Sequence, residues 1–437
     1  MVDELQNNGD RTLRSLEVRL PEGPAFGEQK LRILIQDSEI SPRPGSDTDA
    51  RTMRAPFDPP WQQNEKRKVT TEWDLLPESS TRGTIAASPD GFFIADETAF
   101  PLWQTPSGVF AHGGTLPKKE LLTIIAPPDF RVLATGTALK PVADGNLVAR
   151  RFLIDPKDNF LPYIVAGRYQ EKILRLGQGD VQFWTYRPID DAAAQTAAER
   201  LSSSMKTLAE FFGPAIPGKP SAVRIVEGQG ELPAEFSSPG DFGAASFPEG
   251  ALLDSRVFPQ AIGSEPVLQL AEYQLARTWF GWRVRPRPEA QILMGRGMGL
   301  FGLVIAAEGR GPGMRQTMIE SLMDRYDKAR ASAPDRGLME PPSGYSRAER
   351  ISTGYRGALF FVELEDLCGH ENLKAALREI ISARAQSDTG YEELRAALED
   401  ISGRDLAEMF RAWLDQPGIP DDFRARYAKT AGASLGY

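Results

Sequence analysis

Cysteine is nearly absent from this sequence: Cys368 is the single one in 437 residues. One thiol excludes an internal disulfide framework and any metal site built from several thiolates. Cys368 stands at the end of an apolar helical pattern, "ELEDLCGH", where a buried structural thiol is expected. Histidine is almost as scarce, with only His112 and His370. They lie far apart, so no helix can carry two histidines four residues apart, the usual start of a zinc-hydrolase site. An excess of basic residues is missing too. The net charge of -9 argues against nucleic acid, whose phosphates demand Lys and Arg in excess on one face. The longest apolar runs, "LLTIIA" from Leu121 and "GLFGLVIAA" from Gly299, fall short of the roughly twenty residues that cross a bilayer. The first twenty residues, "MVDELQNNGDRTLRSLEVRL", hold no apolar stretch of the kind a secretory signal needs. These absences predict no membrane span, and a cytoplasmic location if this N-terminus is that of the whole protein.

Hydrophobic residues at 41% and charged residues at 25% are ordinary globular usage, and the length predicts more than one core. From Leu16 to about Ile173, short alternating runs such as "SLEVRL", "LRILIQ", "GFFIAD", "LLTIIAPPDFRVLATG", "LVARRFLI" and "YIVAGRYQ" are broken by Pro, Gly and Asp. That spacing predicts antiparallel strands. The polar, proline-rich stretch from Asp37 to Lys68 between them predicts a long loop. Near Asp190 the period changes to helical: "DDAAAQTAAERLSSSMKTLAEFFG" offers Asp190 or Asp191 as N-cap and Gly213 as stop. After a short strand, "SAVRIVEG", further helices are expected over Ser264–Trp282, Gly299–Glu308, Met314–Ala331, Gly357–Leu367, Asn372–Arg384, Gly390–Ile401 and Asp405–Leu414. The fold class is therefore α+β: an antiparallel β domain over 1–180, then a mainly helical domain with a small mixed sheet over 181–437.

In the helix from Ser264, the residues Leu268, Ala271, Leu275 and Trp279 form an apolar stripe, which by itself says only burial. The run "LARTWFG" adds more. It resembles the zinc helix of the gluzincin aminopeptidases, the alanyl aminopeptidase family, whose pattern is H-E-x-x-H-x-W-F-G. Alignment on Trp279, Phe280 and Gly281 puts Tyr273 and Arg277 at the two histidine positions and Gln274 at that of the glutamate. Residues i and i+4 share a helix face, the geometry that ligation by two histidines requires. The family's third ligand is a glutamate that follows after eighteen intervening residues, and that count lands on Arg296 in "LMGRGMG". "LAEFFGP" from Leu208, "LATG" from Leu133, and "RGALFFVELEDLCG" with "LEDISGRDLAEMFRAWLDQPGIP" are similar to other parts of the family, so the resemblance spans about Leu16 to Pro420. It implies a thermolysin-like helical domain behind an aminopeptidase-type β domain, in a chain shorter than most of its relatives. It also implies that the amine-anchoring glutamate of a G-x-M-E-N loop is replaced by Ser246 in "GAASFPEG". The oxyanion tyrosine of Y-x-K-G is replaced by Gly354 in "STGYRGAL", with Tyr355 one step away.

Chemistry gives these departures their meaning. Catalytic zinc needs three ligands with lone pairs and one open position. A guanidinium has five donors and no acceptor, so Arg277 and Arg296 would repel a cation. Gln274 cannot act as a general base. No zinc cofactor is expected, and the sequence predicts a non-catalytic pseudopeptidase with a cleft kept for a peptide or protein. The two arginines require anionic partners: Glu272, Glu289 or another carboxylate of the chain, or the carboxylate or phosphate of a bound partner. The alternative is an active metallo-aminopeptidase hydrolysing N-terminal peptide bonds with atypical ligands such as Glu272; a third possibility is a structural module with its cleft packed shut. Other motifs carry less. "GMGLFG", Gly297–Gly302, matches a dinucleotide fingerprint without a surrounding β-α-β unit, even if "EAQILM" before it could pass for a strand. "GASLG" around Ser434 lacks the downstream helix and histidine of a nucleophile elbow. "RVRPRPE" from Arg283 suits a solvated helix exit, and His112 and His370 a loop and a helix start, with no partner at ligand spacing.

Overall fold

The computed structural model describes residues 2–6, 12–19, 32–41, 43–44, 52–72, 85–94, 102–104, 120–154, 163–177, 179–215, 222–228, 243–248, 250–258, 261–338, 345–383 and 388–427. They fall in two compact units, one within Met1–Arg168 and the other within Tyr169–Gly228 and Leu232–Tyr437.

In the first unit every pairing among the described residues is antiparallel, as the alternating runs require. Ile33 and Ile35 point into one core with Val69 of the neighbouring strand Lys66–Glu72. The stretch expected as a loop departs from the prediction, because it contains the ten-residue strand Thr52–Trp61. Proline lacks the amide that a central strand donates. Here Pro59 and Pro60 fall in the register break that separates Trp61, opposite Leu13, from Pro56, opposite Ser15, and the other neighbour, Arg43–Pro44, pairs only with Arg54 and Met53. A break in pairing thus accommodates a composition that reads as loop.

The second unit opens with a five-stranded mixed sheet in the order Gln170–Leu176, Gly179–Thr185, Val223–Glu227, Gly250–Leu253, Ala244–Phe247. The outer pairs are antiparallel and the inner ones parallel. A parallel pair needs a crossover, and helix α1, Asp191–Phe212, supplies it between the second and third of these strands in the chain. Its ends are those the sequence marks: Asp190 accepts from the Ala193 amide at 2.8 Å, and Gly213 takes a φ of 90°. Behind the sheet lie α2 (Glu265–Ala276), α3 (Met298–Glu308), α4 (Met314–Arg330), α5 (Arg347–Cys368), α6 (His370–Ala383), α7 (Tyr391–Ser402), α8 (Ala407–Leu414) and α9 (Asp421–Arg426).

Three helix boundaries differ from expectation. α2 stops at Ala276 rather than Trp282, because Gly281 turns the chain with a φ of 134° and its amide bonds to the Val284 carbonyl at 3.0 Å. That turn drives Trp279 and Phe280 onto Phe212, and the Trp279 indole donates to the Gly213 carbonyl at 2.9 Å. α5 begins ten residues before Gly357, where Ser346 and Glu349 form a reciprocal cap: the Ser346 amide donates to the Glu349 carboxylate at 2.6 Å and the Glu349 amide to the Ser346 hydroxyl at 3.2 Å. The segment "EAQILM" is no strand; it enters the π-helix Gln291–Gly297, which runs directly into α3. The combined Gln291–Glu308 is, among the described residues, the one helix long and apolar enough to cross a membrane, with a mean hydropathy of 1.2. It is also 83% buried inside its own unit, as a central core helix is.

The glycines of "GMGLFG" serve that burial. A Cβ on Gly297 would meet the Gly357 backbone at 2.9 Å, and one on Gly302 would meet the Ala276 Cβ at 2.3 Å. Close helix contact is their role, and α3 is not the crossover of a β-α-β unit. Cys368, the last residue of α5, is buried, and burial pushes its thiol pKa up. The exit run from Arg283 is less solvated than expected: Arg283 is partly buried and bonds to the Pro214 carbonyl at 3.0 Å, while Arg287 pairs with Glu289 at 3.2 Å. His112 and the "GASLG" segment lie outside the described residues.

Candidate functional site

The residues singled out in the sequence gather where α2, the π-helix with α3, and α5 meet. Tyr273 and Gln274 end α2 and are buried, and Arg277 caps it with helical dihedrals, so the shared face of positions 273 and 277 is kept. The Arg277 guanidinium lies over the Tyr273 ring, 5.7 Å from its centroid, and its Nη1 donates to Gln274 Oε1 at 3.3 Å. The Gln274 Nε2 is buried with no hydrogen-bond partner among the described residues. Gly299 of α3 makes this arrangement possible: a Cβ there would stand 2.8 Å from Tyr273 Cε2 and 2.9 Å from Arg277 Cγ.

One turn before Gly299, the π-helix carries Arg296, whose stem crosses Gly354 of α5. A Cβ on Gly354 would be 2.5 Å from Arg296 Cδ and 2.7 Å from its Cγ. The absence of a side chain at 354 and the long one at 296 are therefore sterically linked. The neighbouring Tyr355 is buried. Ser246, on the edge strand Ala244–Phe247, is buried as well, and its hydroxyl accepts from the Trp282 indole at 2.9 Å.

The steric link yields a prediction with a sign change. Gly354→Ala gains about 1 kcal/mol of helix propensity but forces Arg296 aside, which costs about 1–3 kcal/mol. A net loss is expected in the natural chain, and a gain of about 1 kcal/mol when Arg296→Ala is present. Urea unfolding of the four members of that cycle checks it; equal effects in both backgrounds would disprove the link.

The carboxylates expected to neutralise the arginines are engaged elsewhere. Glu272 is wholly buried on another side of α2, where Arg200 of α1 grips it through Nε at 2.5 Å and Nη2 at 3.0 Å, and Ser204 donates to it at 2.5 Å. Burial lowers the Arg200 pKa, but its hydrogen bonds and charge pairing with Glu272 and Glu265 together outweigh that and the pKa is raised. Glu289 pairs with Arg287.

These residues do not fit a zinc ion. At the two helical positions that the sequence resemblance aligns with ligands stand a buried phenol and a guanidinium that already donates to Gln274. The third position carries another guanidinium, and neither arginine has a lone pair to offer. Glu272, the substitute ligand considered from the sequence, is held by two hydrogen-bonding neighbours on α1.

A second cluster was not foreseen. Glu308 at the end of α3, Glu365 on α5 and His370 at the start of α6 bring one ligand atom each to within 4.8 Å of one another. The five-residue step from Glu365 to His370 across the Gly369 break could have hinted at one contact; nothing in the sequence points to Glu308.

No known family profile matches the chain. Its fold is that of the M1 zinc metallopeptidases, the class its sequence resembles. The M1 zinc metallopeptidase of Deinococcus radiodurans superposes with a TM-score of 0.65 at 13% identity, covering 94% of this chain and 88% of that one. A point mutant of that enzyme gives a TM-score of 0.66 at 14% identity over 94% and 89% of the two chains. A mutant bound to a Tyr-Ser-Ala substrate gives 0.64 at 13% over 96% and 90%. In sequence, Aminopeptidase M1-B of Oryza sativa subsp. japonica is 25% identical over 199 residues, which is 45% of this chain and 22% of that relative.

Proposed function

We propose that this chain is a non-catalytic pseudopeptidase on an aminopeptidase scaffold, without a catalytic zinc and with its former metal position given over to recognition of an anionic peptide or protein group. The observation that carries this reading is the Arg277 to Gln274 hydrogen bond at 3.3 Å, which joins a metal-ligand position to the general-base position. Metal-activated water is the source of the nucleophile in such sites, and neither activation nor proton removal is available from an arginine and an amide. Guanidinium forks pair well with carboxylates, so acidic peptides are the partners to try. Burial of Tyr273, Gln274, Tyr355 and Ser246 favours a second reading, a structural module whose site is filled.

The test is release of a chromophore from aminoacyl reporters, with and without added zinc, beside titration with acidic peptides. Turnover is expected to stay at the buffer rate in both conditions. Turnover that zinc raises and a chelator abolishes would overturn the non-catalytic reading. Peptide binding weakened at least tenfold by Arg277→Ala with Arg296→Ala supports recognition; no binding of acidic peptides leaves the structural module.

A further inference from the structure

We propose that Glu308, Glu365 and His370 form a divalent-cation site of the zinc class, separate from the former peptidase centre, and that Arg315 is the internal cation a metal displaces. Two carboxylates and one imidazole are a donor set for zinc, manganese or cobalt. The three donor atoms lie within 4.8 Å of one another. Around a tetrahedral zinc they would stand roughly 3.3–3.6 Å apart, so a contraction of up to about 1.5 Å in the longest separation assembles the site.

Each donor is held by a different helix. Glu365 is more than nine-tenths buried on α5, and its Oε1 already contacts His370 Nδ1 at 2.6 Å. The edge-on contact of Phe211 with the imidazole, 5.2 Å between ring centroids, fixes the ring plane. The other ring nitrogen, Nε2, faces Glu371 at 3.9 Å. That places a carboxylate behind the imidazole, where metal-bound histidines commonly have one. The His370 side chain is 41% exposed, which leaves an approach from solvent.

At present Arg315 of α4 bridges the carboxylates, with Nη1 2.9 Å from Glu308 and Nη2 2.9 Å from Glu365. The second contact is an ion pair whose geometry is not that of an aligned hydrogen bond at Glu365 Oε2. One guanidinium against two carboxylates leaves a net negative charge in a partly buried place. A divalent cation would offset both carboxylates, and Arg315 is 26% exposed.

The experiment is equilibrium dialysis and calorimetric titration of the full chain with zinc chloride alone, with cobalt absorption as a reporter of tetrahedral ligation. One zinc per chain is expected, with affinity reduced at least tenfold in His370→Asn and in Glu308→Gln. In Arg315→Gln, which removes the competitor, affinity should rise about tenfold. A purely structural ion-pair network predicts the reverse: Arg315→Gln would lose stability and gain no zinc. Arg277→Ala is expected to leave uptake unchanged, which separates this site from the former catalytic position. Circular dichroism establishes that each variant is folded. Absence of uptake in both the natural chain and Arg315→Gln, or uptake indifferent to His370→Asn, would overturn the proposal.

Discussion

Replacing Arg356 by alanine is expected to destabilise the helical unit by about 3–5 kcal/mol, the usual result of removing one partner from a buried ion pair. The side chain is wholly buried on α5. Its Nη1 donates to the Arg336 carbonyl at 2.7 Å and lies 3.5 Å from the Asp335 carboxylate, while Nη2 bonds to the carbonyls of Trp413 and Gln416. One guanidinium thus pins α5 to the end of α8 and to the loop before α5. Burial lowers its pKa and Asp335 opposes that. Alanine would leave three carbonyls without their donor and a cavity the size of an arginine. Asp335 would keep the Tyr326 hydroxyl at 2.5 Å and the Gly418 amide at 2.5 Å, but would lose its counter-charge. Urea unfolding followed by tryptophan fluorescence measures the loss; a change below about 1 kcal/mol, within the range of exposed pairs, would mean the pin is not needed.

Glu272→Ala is expected to cost a similar amount, about 3–5 kcal/mol, and to loosen the helix that carries Tyr273 and Arg277. Arg200 would lose its bidentate partner and keep only Glu265, at 3.1 Å and 3.2 Å. Arg310, whose pKa burial lowers and Glu272 helps to hold up, would lose that support as well. Glu272→Gln should cost less, since an amide still accepts from Ser204. Hydrogen exchange along α2, with urea unfolding, distinguishes this from a global effect. If the alanine variant unfolds like the natural chain, the α1 to α2 ion pair is not what fixes the site helix.

Local signals were legible where one residue or its near neighbours decide the outcome. The Asp190 cap and the Gly213 stop delimit α1 in sequence as in structure. The alternating runs of the first unit became strands, whereas Thr52–Trp61 was hidden because Pro59 and Pro60 suit a break in pairing, and where pairing breaks depends on the neighbouring strand. The end of α2 was misplaced because "TWFGW" keeps a helical apolar spacing, while the turn at Gly281 is joined to the packing of Trp279 and Phe280 on Phe212.

By itself the sequence determined that two histidines four apart on one helix cannot exist here, and its resemblance to the aminopeptidase pattern aligns arginines with two of the three ligand positions. Those are statements about side-chain chemistry, independent of conformation. The tertiary structure alone decided what those residues do instead: Arg296 lies across Gly354, Ser246 takes the Trp282 indole, and Glu272 turns to Arg200 rather than to Arg277. It also brought His370 to Glu308 and Glu365. Each of these contacts joins helices or strands distant along the chain, and the close approach of glycine-bearing helices that creates them leaves no local periodicity to read.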